Sequence, residues 1–254
     1  MTELVVGLIG HPVAHSRSPE IFAEWRQERQ VTGRYELIDV PPAALAVALE
    51  TAWDDGWHGL NVTIPHKQTA LAFADSTSIT RATGATNCLV RTESGWRADN
   101  TDGDGLIAAL ERDGAFLIND KRVVILGGGG AARAAAYALG QTCHVSVVSR
   151  LPVSLAGAVE WHPWTDPPLA GASLLINCTP IGMSGGPAAD VGWEHLPWSD
   201  LPADALVFDM VYEPLMTPLL REAQRRGHPT LDGMSMLVRQ GILSYERWLE
   251  AARL

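Results

Sequence analysis

Lys67 and Asp102 are the two residues of this sequence best suited to transfer a proton. Lys67 follows a strand-like run that begins at Gly59, and Asp102 lies in the polar stretch 99–103. When a carbonyl is reduced, a hydride reaches the carbon while an acid protonates the oxygen. Lys67 could be that acid if Asp102 orients its ammonium. A lone lysine is ordinarily a solvated surface charge, so this hypothesis depends on the polar groups around it.

Four polar clusters in the first hundred residues supply such groups. Hydroxyl and amide side chains both donate and accept hydrogen bonds, so together they suit a small ligand with several hydroxyls. The clusters contain Ser16 and Ser18 before a helix, Asn61 and Thr63 on one side of a strand, Asn87 in an apolar strand, and Asp99–Gly103. Ser16 and Ser18 could bind a carboxylate beside a helix N-terminus. In the alternative interpretation, Ser18 only caps the helix and Asp99–Gly103 is a turn.

A glycine-rich segment predicts a dinucleotide site. The apolar run Arg122–Leu126 leads into a Gly-x-Gly-x-x-Ala turn and then into a helix. In such a turn the first glycine permits the tight bend, and the second lets the backbone approach a pyrophosphate at the helix N-terminus. Glycine clusters also form plain loops, so the flanking strand and helix decide the interpretation. The predicted cofactor contacts are Gly127, Gly128, Gly129, Gly130 and Ala131.

The end of the next strand predicts which dinucleotide binds. NAD sites usually place an acid there, about 20 residues beyond the glycines, to bind the ribose 2′-hydroxyl. Here the strand ends in Ser149-Arg150, and the next acid is Glu160. Arg150 would attract a 2′-phosphate, which favours NADP(H), although a solvated surface arginine would look the same.

These residues must be positioned by an α/β fold, because strand-like and helix-like runs alternate along the chain. A domain boundary is expected near Thr101–Asp104. The expected strands are Leu4–Ile9, Arg34–Val40, Gly59–Ile64, Ala85–Val90, Arg122–Leu126, His144–Val148, Ser173–Ile176 and Ala205–Phe208. The expected helices are Pro19–Gln30, Ala43–Trp53, Asp104–Asp113, Ala131–Leu139 and Met234–Leu254.

Composition narrows the classes of partner. The 254 residues carry a formal charge of −10, which argues against nucleic acid and anionic membranes as partners. No apolar stretch has the length of a membrane span, and the N-terminus lacks the basic start of a signal peptide. Three separated cysteines and scattered histidines predict a reducing compartment and no metal site. We therefore expect a cytoplasmic protein that binds a small molecule.

Taken together, the polar and glycine-rich segments resemble the shikimate dehydrogenase family, from Gly7 to about Trp248. Each match is modest alone, whereas the whole set in one order is specific. The matching stretches in the first half are Gly10-His-Pro-Val-Ala-His-Ser16-Arg-Ser18-Pro19, Asn61-Val-Thr63-Ile-Pro-His-Lys67, Gly84-Ala-Thr-Asn87 and Asp99-Asn-Thr-Asp102-Gly103. Those in the second half are Gly127-Gly-Gly-Gly-Ala131, Asn177-Cys-Thr179-Pro-Ile-Gly182-Met183, Asp209-Met-Val-Tyr212, Thr217-Pro218 and Asp232-Gly233-Met-Ser-Met-Leu237-Val-Arg-Gln240.

The resemblance implies reversible, NADPH-dependent reduction of 3-dehydroshikimate to shikimate, in the biosynthesis of chorismate and aromatic amino acids. It implies Lys67 and Asp102 as the catalytic pair and Ser16, Ser18 and nearby Tyr212 around the substrate carboxylate. The residues implied at the ring hydroxyls are Asn61, Thr63, Asn87, Asp102 and Gln240, and further cofactor contacts are Thr179, Met183 and Gly233. The implied fold is an α/β substrate domain, residues 1–102 plus 232–254, and a Rossmann-like NADP-binding domain, residues 103–231, with a cleft between them. The oligomeric state is left open between monomer and homodimer.

The sequence departs from the family pattern at the cofactor. NADP-using members tend to carry a second arginine four places after the first, where this chain has Ser154. The stretch from Leu151 to Ser173 is short and rich in proline, so a regular helix is not expected there. An NAD-using quinate/shikimate dehydrogenase, an aminoshikimate relative and a catalytically silent binding or regulatory protein therefore stay as alternatives. Retention of Lys67 with Asp102 argues against the silent protein, since binding alone does not need that pair.

Overall fold

The computed structural model describes residues 3–153, 159–186, 188–189 and 192–252. The chain divides into two compact units. One ends at Asp102 and resumes at Val238, and the other runs from Gly103 to Leu237. Residues 232–237, expected in the first domain, thus belong to the second unit. The predicted two-domain α/β fold class is confirmed. Within the described residues, no helix is both long enough and apolar enough to cross a bilayer.

The first unit is built on a mixed six-stranded sheet. Its strands are β1 (Leu4–Gly10), β2 (Gly33–Asp39), β3 (Gly59–Val62), β4 (Ala74–Ser76), β5 (Cys88–Arg91) and β6 (Trp96–Asp99). They lie in the order β2-β1-β3-β5-β6-β4. The β1 strand is parallel to β2 and β3, whereas β5 is antiparallel to both β3 and β6. The start of β5 and the end of β6 therefore lie beside the carboxyl end of β3.

Three helices and part of a fourth belong to this unit. They are α1 (Ser18–Glu28), α2 (Leu45–Asp54), α3 (Ser78–Thr83) and, from Val238 onward, the last helix α7 (Gly233–Ala252). Leu45 and Leu49 of α2 pack in a core with sheet residues such as Leu60. The α7 helix lies close to β3, because a Cβ added to Gly59 would come within 2.1 Å of the Trp248 ring. Glycine at position 59 is what permits that approach.

The second unit contains a parallel six-stranded sheet. Its strands are β7 (Arg122–Leu126), β8 (His144–Ser149), β9 (Val159–Pro163), β10 (Leu174–Asn177), β11 (Leu206–Asp209) and β12 (Thr230–Leu231). Their order is β12-β11-β10-β7-β8-β9, and every pairing is parallel. Counted from β7, the strands run 3-2-1-4-5-6 across the sheet, which is the doubly wound order of dinucleotide-binding domains. The helices are α4 (Asp102–Arg112), α5 (Gly130–Leu139), α6 (Pro218–Arg225) and the first turns of α7.

Two local predictions near the polar clusters are wrong. Thr86 and Asn87 were expected inside a strand, but β5 begins one residue later, at Cys88. Ser18 was expected to cap α1, but the helix already includes Ser18, and no side chain caps it. The described residues between Leu151 and Ser173 contain β9 and no helix, as the prolines predicted. Ser154 lies outside the described residues.

Candidate active site

Lys67 and Asp102 form a partly buried ion pair in the first unit. Lys67 lies in the turn after β3, and Asp102 follows the end of β6. The Lys67 Nζ lies 2.5 Å from the Asp102 Oδ2, and the two side chains are 17% and 5% exposed. Lys67 is therefore not a solvated surface lysine. In this setting the ammonium is oriented by one carboxylate oxygen, and the other oxygen is left to a different partner.

That other partner is Asn87. Its Nδ2 lies 2.8 Å from the Asp102 Oδ1, 2.8 Å from the Thr101 Oγ1 and 2.9 Å from the Gln240 Oε1. Its Oδ1 accepts the backbone N–H of Thr101 at 2.7 Å, which fixes the orientation of the amide. Asn87 thus joins the segment before β5, the segment after β6 and helix α7 around the carboxylate of Asp102.

Asn61 supports this cluster through partners inside the protein. Its Nδ2 donates to the Ser244 Oγ at 2.9 Å and to the Asn87 carbonyl at 3.2 Å, and its Oδ1 accepts the Tyr35 hydroxyl at 2.9 Å. Its side chain is 96% buried by this arrangement, being only 4% exposed. A substrate hydroxyl at Asn61 would compete with these partners. Thr63 lies just past the end of β3 and is partly exposed.

Ser16 and Ser18 lie beyond the carboxyl end of β1. The Ser16 Oγ donates to the Ser18 Oγ at 3.1 Å and accepts the Ser18 N–H at 3.3 Å. Since Ser18 does not cap α1, its hydroxyl is not engaged with the backbone of the first turn. The N-terminal end of α1, beside this pair, favours an anion.

Three further residues of the cluster escaped the sequence analysis as site residues: Tyr35, Thr101 and Ser244. Thr101 Oγ1 lies 3.1 Å from the Ser244 Oγ and 3.0 Å from the Gln240 carbonyl. Ser244 could have been found, because it stands four residues after Gln240 on the same helix face. Tyr35 carried no such signal, since its contact with Asn61 depends on the pairing of separate strands.

The second unit contains the glycine-rich turn between β7 and α5, and its geometry fits a dinucleotide pyrophosphate. Gly127 has a φ of +121°, a conformation that favours glycine. A Cβ added to Gly129 would meet nothing within 4 Å, so the backbone there is open to close approach. Gly130 and Ala131 begin α5, whose N-terminus has no side-chain cap, and its free N–H groups face the turn.

The neighbouring turn after β8 contains the residues expected at the 2′-phosphate. Arg150 is exposed directly after β8. The Ser149 hydroxyl donates to the Leu151 carbonyl at 2.6 Å and accepts the Trp161 indole N–H at 3.0 Å. Trp161 belongs to β9, which pairs with β8. The contact between Trp161 and Ser149 was not anticipated from the sequence.

A buried hydrogen-bond cluster holds the segment after β10. Thr179 donates to the Asn177 Oδ1 at 2.6 Å, and the Asn177 Nδ2 donates to the Asp209 Oδ1 at 2.9 Å. Asp209 also accepts the Thr217 hydroxyl at 2.6 Å and the Val211 N–H at 3.0 Å. Burial raises the pKa of Asp209 to about 6, although these hydrogen bonds act in the opposite direction.

The remaining predicted residues also lie in the second unit. Met183 is 37% exposed in the turns after β10, and Tyr212 is partly exposed after β11. Gly233 begins α7, where a Cβ would come within 2.4 Å of the Met210 carbonyl oxygen, so a side chain cannot be accommodated without a shift.

Comparison with known proteins identifies the family. A family model described as the shikimate dehydrogenase substrate binding domain matches residues 8–89. The chain is 40% identical to the shikimate dehydrogenase (NADP(+)) of Methylobacterium radiotolerans over 95% of its own length and 89% of that protein. A crystal structure of a shikimate dehydrogenase in complex with NADP+ superposes with a TM-score of 0.88 at 32% identity, over 98% of this chain and 90% of that one.

The same fold also occurs in a reductase of a different name. The ligand-free 5-ketofructose reductase of Gluconobacter sp. strain CHM43 matches with a TM-score of 0.82 and 30% identity, over 98% of this chain and 94% of its own. The family model and the full-length relative both point to one family, however, and the motifs around Lys67 and Gly127 agree with them. The chain therefore belongs to the shikimate dehydrogenase family.

Proposed function

We propose that this chain is an NADP-dependent shikimate dehydrogenase, which interconverts 3-dehydroshikimate and shikimate. The observation that carries the proposal is the partly buried Lys67–Asp102 pair, 2.5 Å apart, in which the Asn87 amide binds the second oxygen of Asp102 and also contacts Gln240. A lysine with a single oriented carboxylate partner suits proton transfer to and from an oxygen. Full-length relatives named as shikimate dehydrogenase (NADP(+)) support the choice of substrate.

The proposed proton step uses Lys67. In the reducing direction the Lys67 ammonium donates a proton to the carbonyl oxygen, and in the oxidising direction the amine takes the proton from the hydroxyl. Asp102 orients Lys67 through Oδ2 and is itself oriented by Asn87 through Oδ1. Bound NADP(H) supplies or accepts the hydride. Because the carboxylate is already placed, little reorganisation is needed when charge moves.

The proposed substrate contacts divide by chemistry. Ser16 and Ser18, with Tyr212, bind the carboxylate, as the serine pair at the α1 N-terminus supports. Asn87 and Gln240 bind ring hydroxyls, with Asn61, Thr63 and Asp102 completing the set. We assign the proposed substrate contacts other than Tyr212 to the first unit on this basis.

The proposed cofactor contacts lie in the second unit. The turn Gly127–Gly130 and Ala131 bind the pyrophosphate, which the positive φ of Gly127 and the open backbone at Gly129 support. Arg150 binds the 2′-phosphate beside Ser149. Thr179, Met183 and Gly233 complete the set of contacts. The parallel strand order supports this assignment, since dinucleotides bind where the order reverses, between β7 and β10.

The test is the initial rate of cofactor reduction, with shikimate and then quinate as substrate and with NADP+ and then NAD+ as acceptor. Fast turnover of shikimate with NADP+ is the expected result. Comparable rates with NAD+ or with quinate would assign the chain to the quinate/shikimate branch instead. Shikimate that binds without turnover by either cofactor would contradict the proposal and favour a silent binding protein. 5-Ketofructose with NADPH serves as the control for the reductase that shares the fold.

A further inference from the structure

We propose that Trp161 is a positioning residue for cofactor selectivity, which holds the turn that presents Arg150 to the 2′-phosphate. The inference rests on the proposed use of NADP(H) and adds a residue outside the glycine-rich turn. It starts from Arg150, which is the one basic residue in the segment 150–158 between β8 and β9. Selectivity from one flexible side chain requires that its backbone be well placed, because an unplaced arginine loses more conformational entropy on binding.

The backbone around Arg150 is closed by Ser149. The Ser149 hydroxyl donates to the Leu151 carbonyl at 2.6 Å, so a side-chain hydrogen bond spans the residue that carries the guanidinium. Ser149 is 7% exposed, whereas its neighbours Arg150 and Leu151 are exposed. The bond to the carbonyl thus fixes the direction in which Arg150 leaves β8.

Trp161 sets the direction of that hydroxyl. Its indole N–H donates to the Ser149 Oγ at 3.0 Å, so the Ser149 proton is left to point at Leu151. An indole nitrogen can only donate, so the Ser149 hydroxyl must accept from Trp161 and give its own proton to the Leu151 carbonyl. Trp161 is paired in register with Val147 of β8, and this pairing fixes the position of Trp161 along the strand relative to the turn after Ser149.

The connection between β8 and β9 explains why such a contact is useful. It contains nine residues, 150–158, between the end of β8 at Ser149 and the start of β9 at Val159. Parallel strands are usually joined by a dozen or more residues that include a helix. The described part of the connection, 150–153, is not helical. The hydrogen bond from Trp161, on the adjacent strand β9, restrains this turn in place of a helix.

The turn is also in contact with the predicted pyrophosphate site. A Cβ added to Gly128 would lie 2.7 Å from the Val153 Cγ1 and 3.3 Å from the Ser149 Cβ. The residues around Arg150 therefore pack directly on the glycine-rich turn. A shift of Ser149 would change the distance between the groups that bind the two ends of an adenosine 2′,5′-bisphosphate.

The experiment compares two nucleotides that differ only in the 2′-phosphate, 2′,5′-ADP and 5′-AMP, by titration calorimetry. The variants are Trp161→Phe, which removes the N–H and keeps an aromatic ring, Ser149→Ala, and the double variant. Arg150→Ala is the positive control. Trp164→Phe is the matched control, because the same change is made at a ring that packs on Trp193 instead.

We expect Trp161→Phe and Ser149→Ala each to weaken binding of 2′,5′-ADP about five-fold, the value of one hydrogen bond, and binding of 5′-AMP less than about two-fold. The double variant should lose no more than the larger single loss, since both changes break one chain of bonds. Trp164→Phe should leave both affinities unchanged. Equal weakening of both nucleotides, additive losses, or no change in Trp161→Phe and Ser149→Ala would overturn the inference, as would a wild-type protein without preference for the 2′-phosphate.

The same data separate this inference from the proposed function. Selective loss of 2′,5′-ADP affinity in a protein that does not turn over shikimate would uphold the role of Trp161 and reject the proposed substrate. Turnover of shikimate with unchanged nucleotide selectivity in Trp161→Phe would support the proposed substrate and reject the role of Trp161. Thermal unfolding of each variant by circular dichroism shows that the folded protein is what is titrated.

Discussion

Lys67 and Asp102 each depend on the other because both are largely removed from water. A buried charge without its partner is unfavourable by several kcal/mol, so removing either residue alone would leave an uncompensated charge. The sequence predicted the pair from residue type, from the position of Lys67 after a strand-like run and from the resemblance to a family. The prediction could not include the surroundings of the carboxylate, where the Asn87 amide contacts Asp102, Thr101 and Gln240.

Replacing Lys67 tests the proton step. Lys67→Ala should lower kcat for shikimate oxidation about a thousand-fold and change KM little, because the ammonium acts mainly in the transition state. The measurement is steady-state kinetics at saturating NADP+. The chain has one other lysine, Lys121, which precedes β7, so Lys121→Ala is the matched control and should retain full activity. A Lys67→Ala variant with kcat within about ten-fold of wild type would remove Lys67 from the mechanism.

At the scale of the elements, strand direction decides which polar residues meet. Asn87 reaches Asp102 because β5 is antiparallel to β3 and β6, which brings its first residues to the carboxyl edge of the sheet. Apolar alternation identifies a strand but not its direction, so this meeting could not be predicted from the sequence. The resemblance to a family supplied the same residues without the geometry.

The short elements were the ones missed. The unpredicted strands are β4, β6, β9 and β12, and the unpredicted helices are α3 and α6. The strands have two to five residues, too few to show an alternation, and β4, β9 and β12 lie at sheet edges. The interior strands β7 and β8 were predicted to within one residue, because a strand buried on both faces reads as a continuous apolar run.

An ion pair between β6 and α7 supports the site at this scale. The Arg247 Nε lies 2.5 Å from the Asp99 Oδ2, and the side chains are 25% and 15% exposed. The Asp99 Oδ1 accepts the Asn100 N–H, and the Asn100 Oδ1 accepts the Asp102 N–H at 3.0 Å. Arg247 therefore connects helix α7 to the segment that ends in Asp102.

Arg247→Ala should destabilise the fold by about 1–3 kcal/mol, because Asp99 is left partly buried without its cation. It should also lower kcat about ten-fold through misplacement of Asp102. Arg247→Lys keeps the charge and should recover most of the activity. Urea unfolding and steady-state kinetics measure the two effects, and Arg97→Ala, an exposed arginine on β6, is the control. A stability loss with unchanged kcat would show that Arg247 holds the fold without positioning the carboxylate.

At the scale of the whole molecule, the stability of the chain should depend on pH in part through Asp209, a buried carboxyl in the second unit. Asp209 is fully buried, and its pKa is raised from 3.8 to about 6. The folded state therefore binds this proton more tightly than the unfolded chain does. As pH falls through about 6 towards 4, the folded protein takes up the proton first and gains stability, and as pH rises through 6 that contribution is lost. Between pH values above 6 and below 4, this proton changes the free energy of unfolding by about 3 kcal/mol in total.

Asp209→Asn should abolish this dependence while keeping the local hydrogen bonds. Its Oδ1 can still accept from Asn177 and Val211, and its amide nitrogen can donate to the Thr217 oxygen. Urea unfolding at about pH 7 and about pH 5 gives the free energy of unfolding of both proteins, and other titrating groups cancel in their difference. We expect wild type to gain about 1–2 kcal/mol relative to Asp209→Asn on going to the lower pH. A difference that stays constant would mean that Asp209 is ionised throughout, stabilised by Thr217, Asn177 and the Val211 N–H more than burial destabilises it.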